Sequence, residues 1–185
     1  MGKSTAATLL AAEGIPVVDT DVIAREIVAP GQPALAEICE VFGREMIDST
    51  GALRRDAMAG LVFGDASKRQ QLEVILHPRI RECWQAKLEA WSAAGQRAGV
   101  VVIPLLFETG AEKELDRVAC VACSTASQLS RLQTRGWSVE QCRQRIAAQW
   151  PTQRKVDLSH GVVWTEGRRE VHAEQWRHLL RRWVG

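Results

Sequence analysis

Gly99-Val-Val-Val-Ile-Pro104 is a nearly pure β-branched run. A strand of that kind is buried on both faces, the mark of a parallel sheet covered by helices. Outward from it the pattern repeats. Residues 116–123 carry a second apolar run, and Gly161-Val-Val-Trp164 a short last one. Upstream, Ile15-Pro-Val-Val18 runs into Asp19. Helical patterns fill the intervals: 4–13 before Gly14, 21–28 before Pro30-Gly31, then 33–42, 55–63, 66–76, 78–94, 127–135, 138–150 and 171–183. Asp48-Ser-Thr-Gly51 is a turn by composition. Strands alternating with helices predict an α/β fold with a parallel sheet.

The chain has 185 residues, 46% hydrophobic and 25% charged, with a net charge of +2. That suits one domain over residues 1–185 and excludes a disordered or collagen-like chain. No apolar run approaches the ~20 residues that span a bilayer. The opening residues have no signal-peptide apolar region, so a cytoplasmic protein is expected. Its five cysteines, an odd count, argue against a disulfide framework. Cys120 and Cys123, on opposite faces of a strand, predict buried structural thiols, with redox sensing or metal as the alternative. Nineteen of the 24 cations are Arg, the side chain suited to bidentate phosphate contacts. A balance near neutrality argues against a general nucleic-acid binder. In the tail, Trp176, Leu179, Leu180 and Trp183 share one helical face, which predicts a packed terminal helix.

Gly2-Lys3-Ser4-Thr5 matches the end of a GxxxxGK[ST] loop. There, backbone N–H groups at a helix N-terminus cradle phosphate, Lys reaches the β and γ phosphates, and the Ser hydroxyl holds Mg²⁺. A polar helix start is the plainer reading. Asp19 and Asp21 follow a strand end, where doubly wound sheets place ligand groups. A carboxylate there can take a hydroxyl proton or hold Mg²⁺ through water. The alternative is that Asp21 N-caps the next helix.

Several stretches together resemble the dephospho-CoA kinases. They are Gly14-Ile-Pro-Val-Val-Asp-Thr-Asp-Val-Ile-Ala-Arg25, Val28-Ala-Pro-Gly-Gln-Pro-Ala-Leu35, Asp48-Ser-Thr-Gly-Ala-Leu-Arg-Arg55, Leu76-His-Pro78, Pro104-Leu-Leu-Phe-Glu108 and Arg145-Ile-Ala-Ala-Gln149. The resemblance implies a P-loop NTPase sheet flanked by helices. It places a helical acceptor-binding region near 30–95 and a lid near 125–157. It implies transfer of phosphate from ATP, with Mg²⁺, to the ribose 3′-hydroxyl of dephospho-CoA. By the family pattern Gly2, Lys3, Ser4 and Thr5 hold phosphate, with Ser4 and Asp19 on the metal, and Asp21 is the general base. Arg25, His77, Pro104, Leu105, Leu106 and Glu108 join Asp19 in shaping the acceptor side. Arg135, Arg145 and Gln149 close over ATP, with Arg145 and Lys3 catalytic and Arg143 solvated. The implied partners are these two small molecules, with no nucleic acid or membrane, for a monomer or weak oligomer.

The sequence departs from the pattern in places. His160 stands where the family has Asp, Thr165 where it has Asn, and Ala122 where Asp is common; the first two fall at the end that the resemblance places by adenine. Trp137, Trp150 and Trp164 read as core aromatics, the latter two lying nearer that end. The resemblance also expects a strand, central in the sheet, and a Gly-rich turn ahead of Gly2, roughly a dozen residues by motif length. A misassigned start is the preferred account. Without those residues the chain is expected to fold poorly and to lack measurable kinase activity. The alternatives are a kinase of the nucleoside-monophosphate type and a non-catalytic nucleotide- or CoA-binding remnant.

Overall fold

A computed structural model describes residues 2–185. It carries the α/β class expected, with nine α-helices and four short strands among the described residues. The strand expected ahead of Gly2 lies outside them. The strands form two pairs, β1 (Val17–Asp19) with β2 (Val100–Val102), and β3 (Ala119–Ala122) with β4 (Gly161–Trp164). The second pair is parallel, in register from Ala119 opposite Gly161 to Ala122 opposite Trp164. Where a single sheet was expected, no strand among the described residues joins the pairs. The run at 116–123 is strand only over its last half, because Asp116 and Arg117 are exposed.

By its contacts the chain divides into two compact units, Val18–Val101 and the combination of Met1–Val17 with Val102–Gly185. The first holds α2 (Thr20–Glu26), α3 (Pro33–Phe42), α4 (Arg55–Gly64) and α5 (Ala66–Ala93). Its core is built by Val28, Ala34, Ile38, Phe42, Met58 and Ile75. Pro33 opens α3, where its missing N–H costs no hydrogen bond. Asp48 closes the predicted turn by accepting from the Thr50 and Ala52 amides and the Thr50 hydroxyl, which holds its carboxyl below the usual range.

The sequence predicts two helices separated at His77-Pro78. The structure has one helix of 28 residues running through Pro78. A prolyl ring inside a helix removes one ladder donor and crowds the preceding turn. Arg79 offsets this. Its Nη1 donates to the Ile75 carbonyl at 2.6 Å, and its Nη2 pairs with Glu37 of α3 at 2.6 Å. The helix continues through Pro78, and α3 is tied to it at the same point.

The second unit holds α1 (Lys3–Ala12), α6 (Thr125–Gln133), α7 (Val139–Ala147), α8 (Thr152–Asp157) and α9 (Arg169–Val184). The helix expected over 138–150 ends at Ala147, and α8 follows Pro151, which starts a new helix more readily than it continues an old one. Trp176 and Leu179 are buried on α9, as the tail's spacing predicts. A Cβ at Gly161 would meet Trp183 at 2.8 Å, so this glycine lets α9 lie directly on β4. Glu13 and Arg177 pair α1 with α9 at 2.8 Å. No helix among the described residues is long and apolar enough to cross a membrane.

Arg79→Met is expected to lower unfolding stability by about 1–2 kcal/mol, because a carbonyl and a carboxylate lose one charged donor. Arg69→Met, which loosens only an exposed pair to Glu73 at 4.0 Å, should change it by less than about 0.5 kcal/mol. Urea denaturation checks both, and equal effects would contradict the account of Pro78.

Candidate functional site

Gly2 has φ +93° and stands as the N-cap of α1. This left-handed conformation suits glycine. No side chain caps α1, and its first turn carries no acid. The first amides of a helix have no partner within it. Among the described residues the N-terminus of α1 is thus a cluster of open N–H donors at the positive end of a helix dipole, which favours an anion. Ser4 is exposed and Lys3 half-buried beside it.

Behind Gly2 lies Thr165, whose methyl would sit 3.2 Å from a Cβ at Gly2. Thr165 is buried and hydrogen-bonded on all sides. Its amide and hydroxyl donate to the Ala122 carbonyl at 2.8 and 3.1 Å. Arg131 of α6 donates to its hydroxyl at 2.8 Å and to its carbonyl at 2.6 Å. The start of α1, the ends of β3 and β4, and α6 therefore meet on one threonine. Glu166, the next residue, fills the N-terminus of α6: its Oε1 accepts from the Ser124 amide at 2.9 Å and its Oε2 from the Trp164 indole at 3.2 Å. The Ser124 and Ser127 hydroxyls bond it as well, and its pKa falls to about 2.

The lid residues lie in the same unit. The Arg145 guanidinium stacks over Trp137 at 3.9 Å, and Arg154 over Trp150 at 3.5 Å. Arg135 and Arg143 are exposed. Gln149 accepts from Lys155 at 3.4 Å. Pro104–Gly110 forms a turn after β2. In it Glu108 Oε1 accepts from the Trp150 amide at 3.0 Å and pairs with Lys155 at 2.6 Å. Burial pushes the Glu108 carboxyl up, and these bonds outweigh it, leaving the carboxyl below its usual range. Leu105 is exposed and Leu106 half-buried. Trp137 and Trp150 are half-buried and Trp164 is 43% exposed, so none of the three is a core residue as expected.

In the other unit, Asp19 rather than Asp21 is the N-cap of α2, accepting the Asp21 amide on Oδ1 at 2.9 Å. The capping alternative for Asp21 is therefore overturned, and its carboxylate is exposed. Arg25 is exposed one turn on, and its carbonyl accepts from Arg55 at 3.5 Å. His77 is exposed on α5. A shallow pocket of about 310 Å³ opens between the start of α3 and Ile47.

The family model for dephospho-CoA kinase matches residues 1–170. The chain belongs to the dephospho-CoA kinase family. It is 36% identical to the dephospho-CoA kinase of Geobacillus kaustophilus, covering 98% of this chain and 91% of that protein. It is 40% identical to that of Enterococcus faecalis, covering 100% and 92%. Among solved structures, TT1252 from Thermus thermophilus superposes with a TM-score of 0.83 at 32% identity, covering 100% of this chain and 93% of that one. The dephospho-CoA kinase from Campylobacter jejuni shares the fold, with a TM-score of 0.73 at 22% identity over 99% and 92%.

The departures from the dephospho-CoA kinase pattern have local explanations. His160 Nδ1 accepts the Val118 amide at 3.0 Å while its own amide donates to the Val118 carbonyl at 2.8 Å, so the imidazole serves as the acceptor that a carboxylate would supply. Ala122 is fully buried, and its carbonyl is what Thr165 holds. Cys120 and Cys123 are buried and free, and burial raises the Cys120 thiol. Reading the sequence missed Lys155, Arg131 and Glu166. Lys155 carried one signal, as the only Lys after Lys113 in an Arg-rich stretch.

The folded Glu166 carboxyl titrates near 2 against an ordinary 4.5. Between those values the unfolded chain binds a proton that the folded chain does not. The stabilisation is full above pH ~4.5 and drains away as pH falls toward ~2. Urea midpoints measured from pH 6 to 2.5 should therefore fall less steeply for Glu166→Gln than for the parent. Parallel curves would show that Glu166 does not cap α6.

Proposed function

We propose that this protein transfers the γ-phosphoryl group of ATP to the ribose 3′-hydroxyl of dephospho-CoA, yielding CoA and ADP in the last step of coenzyme A biosynthesis. The observation that carries the reading is the open, acid-free N-terminus of α1 behind a left-handed Gly2, in a chain matching this kinase family over residues 1–170.

Phosphoryl transfer asks the protein chiefly for position and charge. The amides of Gly2, Lys3, Ser4 and Thr5 hold the ATP phosphates, and the Lys3 ammonium neutralises charge on the β and γ groups. The Ser4 hydroxyl and the Asp19 carboxylate are hard oxygen donors of the kind Mg²⁺ takes, and Mg²⁺ keeps most of its waters. When bound with ATP it neutralises phosphate charge. Asp21 accepts the proton of the attacking hydroxyl, a role its exposed carboxylate can fill. Arg145 and Arg135 come from the lid, residues 125–157, to balance charge on the transferred group, and Gln149, beyond the end of α7 and bonded to Lys155, joins them on the ATP side. Arg25, His77 and the Pro104, Leu105 and Leu106 turn shape the acceptor side, with residues 30–95 as its helical part. The five free thiols suit a reducing cytoplasm, where the protein works as a monomer or weak oligomer on small molecules.

In the full-length protein, Asp21→Asn should lower turnover by ~10²–10⁴ while ATP binding holds, the range for loss of a general base. Arg145→Ala should cost more turnover than Arg143→Ala, and the latter should leave stability within ~0.5 kcal/mol. A coupled assay of ADP release with dephospho-CoA reads each variant. Near-normal turnover of Asp21→Asn removes it from the mechanism, and equal losses at the two arginines remove Arg145.

A further inference from the structure

Lys155 is buried at 6% exposure, while Arg135, Arg143, Arg145 and Arg154 around it in sequence are exposed. Its ammonium reaches Glu108 Oε1 at 2.6 Å and Gln149 Oε1 at 3.4 Å. The Trp150 amide donates to the same Glu108 oxygen at 3.0 Å. Glu108 Oε2 is buried with no partner on any other of the described residues. Residues 149–155, where α7 gives way to α8, thus converge on one carboxylate in the turn after β2. Beyond that point α8 packs on β3. In α7 only Cys142 is buried.

We propose that Glu108 and Lys155 are positioning residues that fasten the C-terminal root of the lid to the turn after β2. The segment carrying Arg145 then moves from a fixed end at Trp150. Glu108 acts through Lys155 and the Trp150 amide rather than by touching the acceptor. The proposal rests on the kinase reading above for its catalytic consequence. An isolated charge left in such a site is costly, whereas removing both charges is not. A displacement of the lid root by about 1 Å is enough to cost roughly 10²-fold in rate.

The test is a cycle in the full-length protein: parent, Glu108→Gln, Lys155→Met and the double variant. Turnover, KM for dephospho-CoA and thermal midpoint are measured for each. Each single variant should lower kcat by about tenfold or more, with KM for dephospho-CoA changed less than about twofold, within the span that misplacement produces. The double variant should lose less than the product of the two single losses, and its midpoint should drop by less than their sum. Independent, multiplicative losses would overturn the proposal. So would a raised KM for dephospho-CoA in Glu108→Gln with kcat unchanged, which would put Glu108 on the acceptor. If Lys155→Met does not fold, Glu108→Gln alone decides, since glutamine keeps the shape and still accepts the Trp150 amide. Failure of the parent to phosphorylate dephospho-CoA would strike the kinase reading alone, because the midpoint coupling is read without substrate.

Discussion

The left-handed turn at Gly2, pressed against the methyl of Thr165, is the constraint on which the head of α1 depends. At φ +93° a side chain is strained by its own backbone, and the available space is already taken at 3.2 Å. The same threonine is tied through its amide and hydroxyl to Ala122 on β3, and it takes both amines of Arg131 from α6. A threonine can do this because one short side chain offers a methyl for packing, a donor and an acceptor. The pattern's asparagine offers a donor and an acceptor without the methyl. The position is therefore a structural junction first, and the departure from the family is filled by hydrogen bonds rather than left open.

Two helix N-termini in this unit are treated in opposite ways. That of α6 is closed by Ser124 and by Glu166, whose carboxylate is held ionised to about pH 2. That of α1 has neither a capping side chain nor an acid in its first turn. Open donors at the positive end of a helix dipole have their best partner in a phosphate. In the same unit, arginines are stacked on Trp137 and Trp150, contacts that keep a guanidinium oriented without neutralising it. Charge on these two arginines is thus held in place by stacking, whereas it is consumed in a pair where the chain must hold together, as between Lys155 and Glu108.

Much of this was legible in the sequence where the signal is local. The limits of α3 and β4 agree with the pattern to the residue, because Pro33, the Gly43 stop and a β-branched pair after Gly161 are each decided by neighbours. Gly2-Lys3-Ser4 announced a helix start for the same reason. What was not legible depends on partners far along the chain. Pro78 reads as a break until Arg79 is seen reaching Ile75 and Glu37. Lys155 reads as one cation among many until it is seen buried against Glu108, and Arg131 is anonymous until it meets Thr165, 34 residues away. The exposure of Trp164 was missed because Gln175 of α9 holds its backbone amide and carbonyl while Glu166 takes its indole, so the ring need not enter the core.

The central claim is that the backbone turn at Gly2 builds the phosphate site at the head of α1. Calorimetric titration of ATP into the full-length protein and its Gly2→Ala variant tests it directly. A left-handed alanine is disfavoured by roughly 1–2 kcal/mol, and ~1.4 kcal/mol is tenfold in affinity. The account predicts that the parent binds ATP and that the variant, while still unfolding cooperatively, binds it at least about tenfold more weakly. Equal affinity for the two proteins would contradict it.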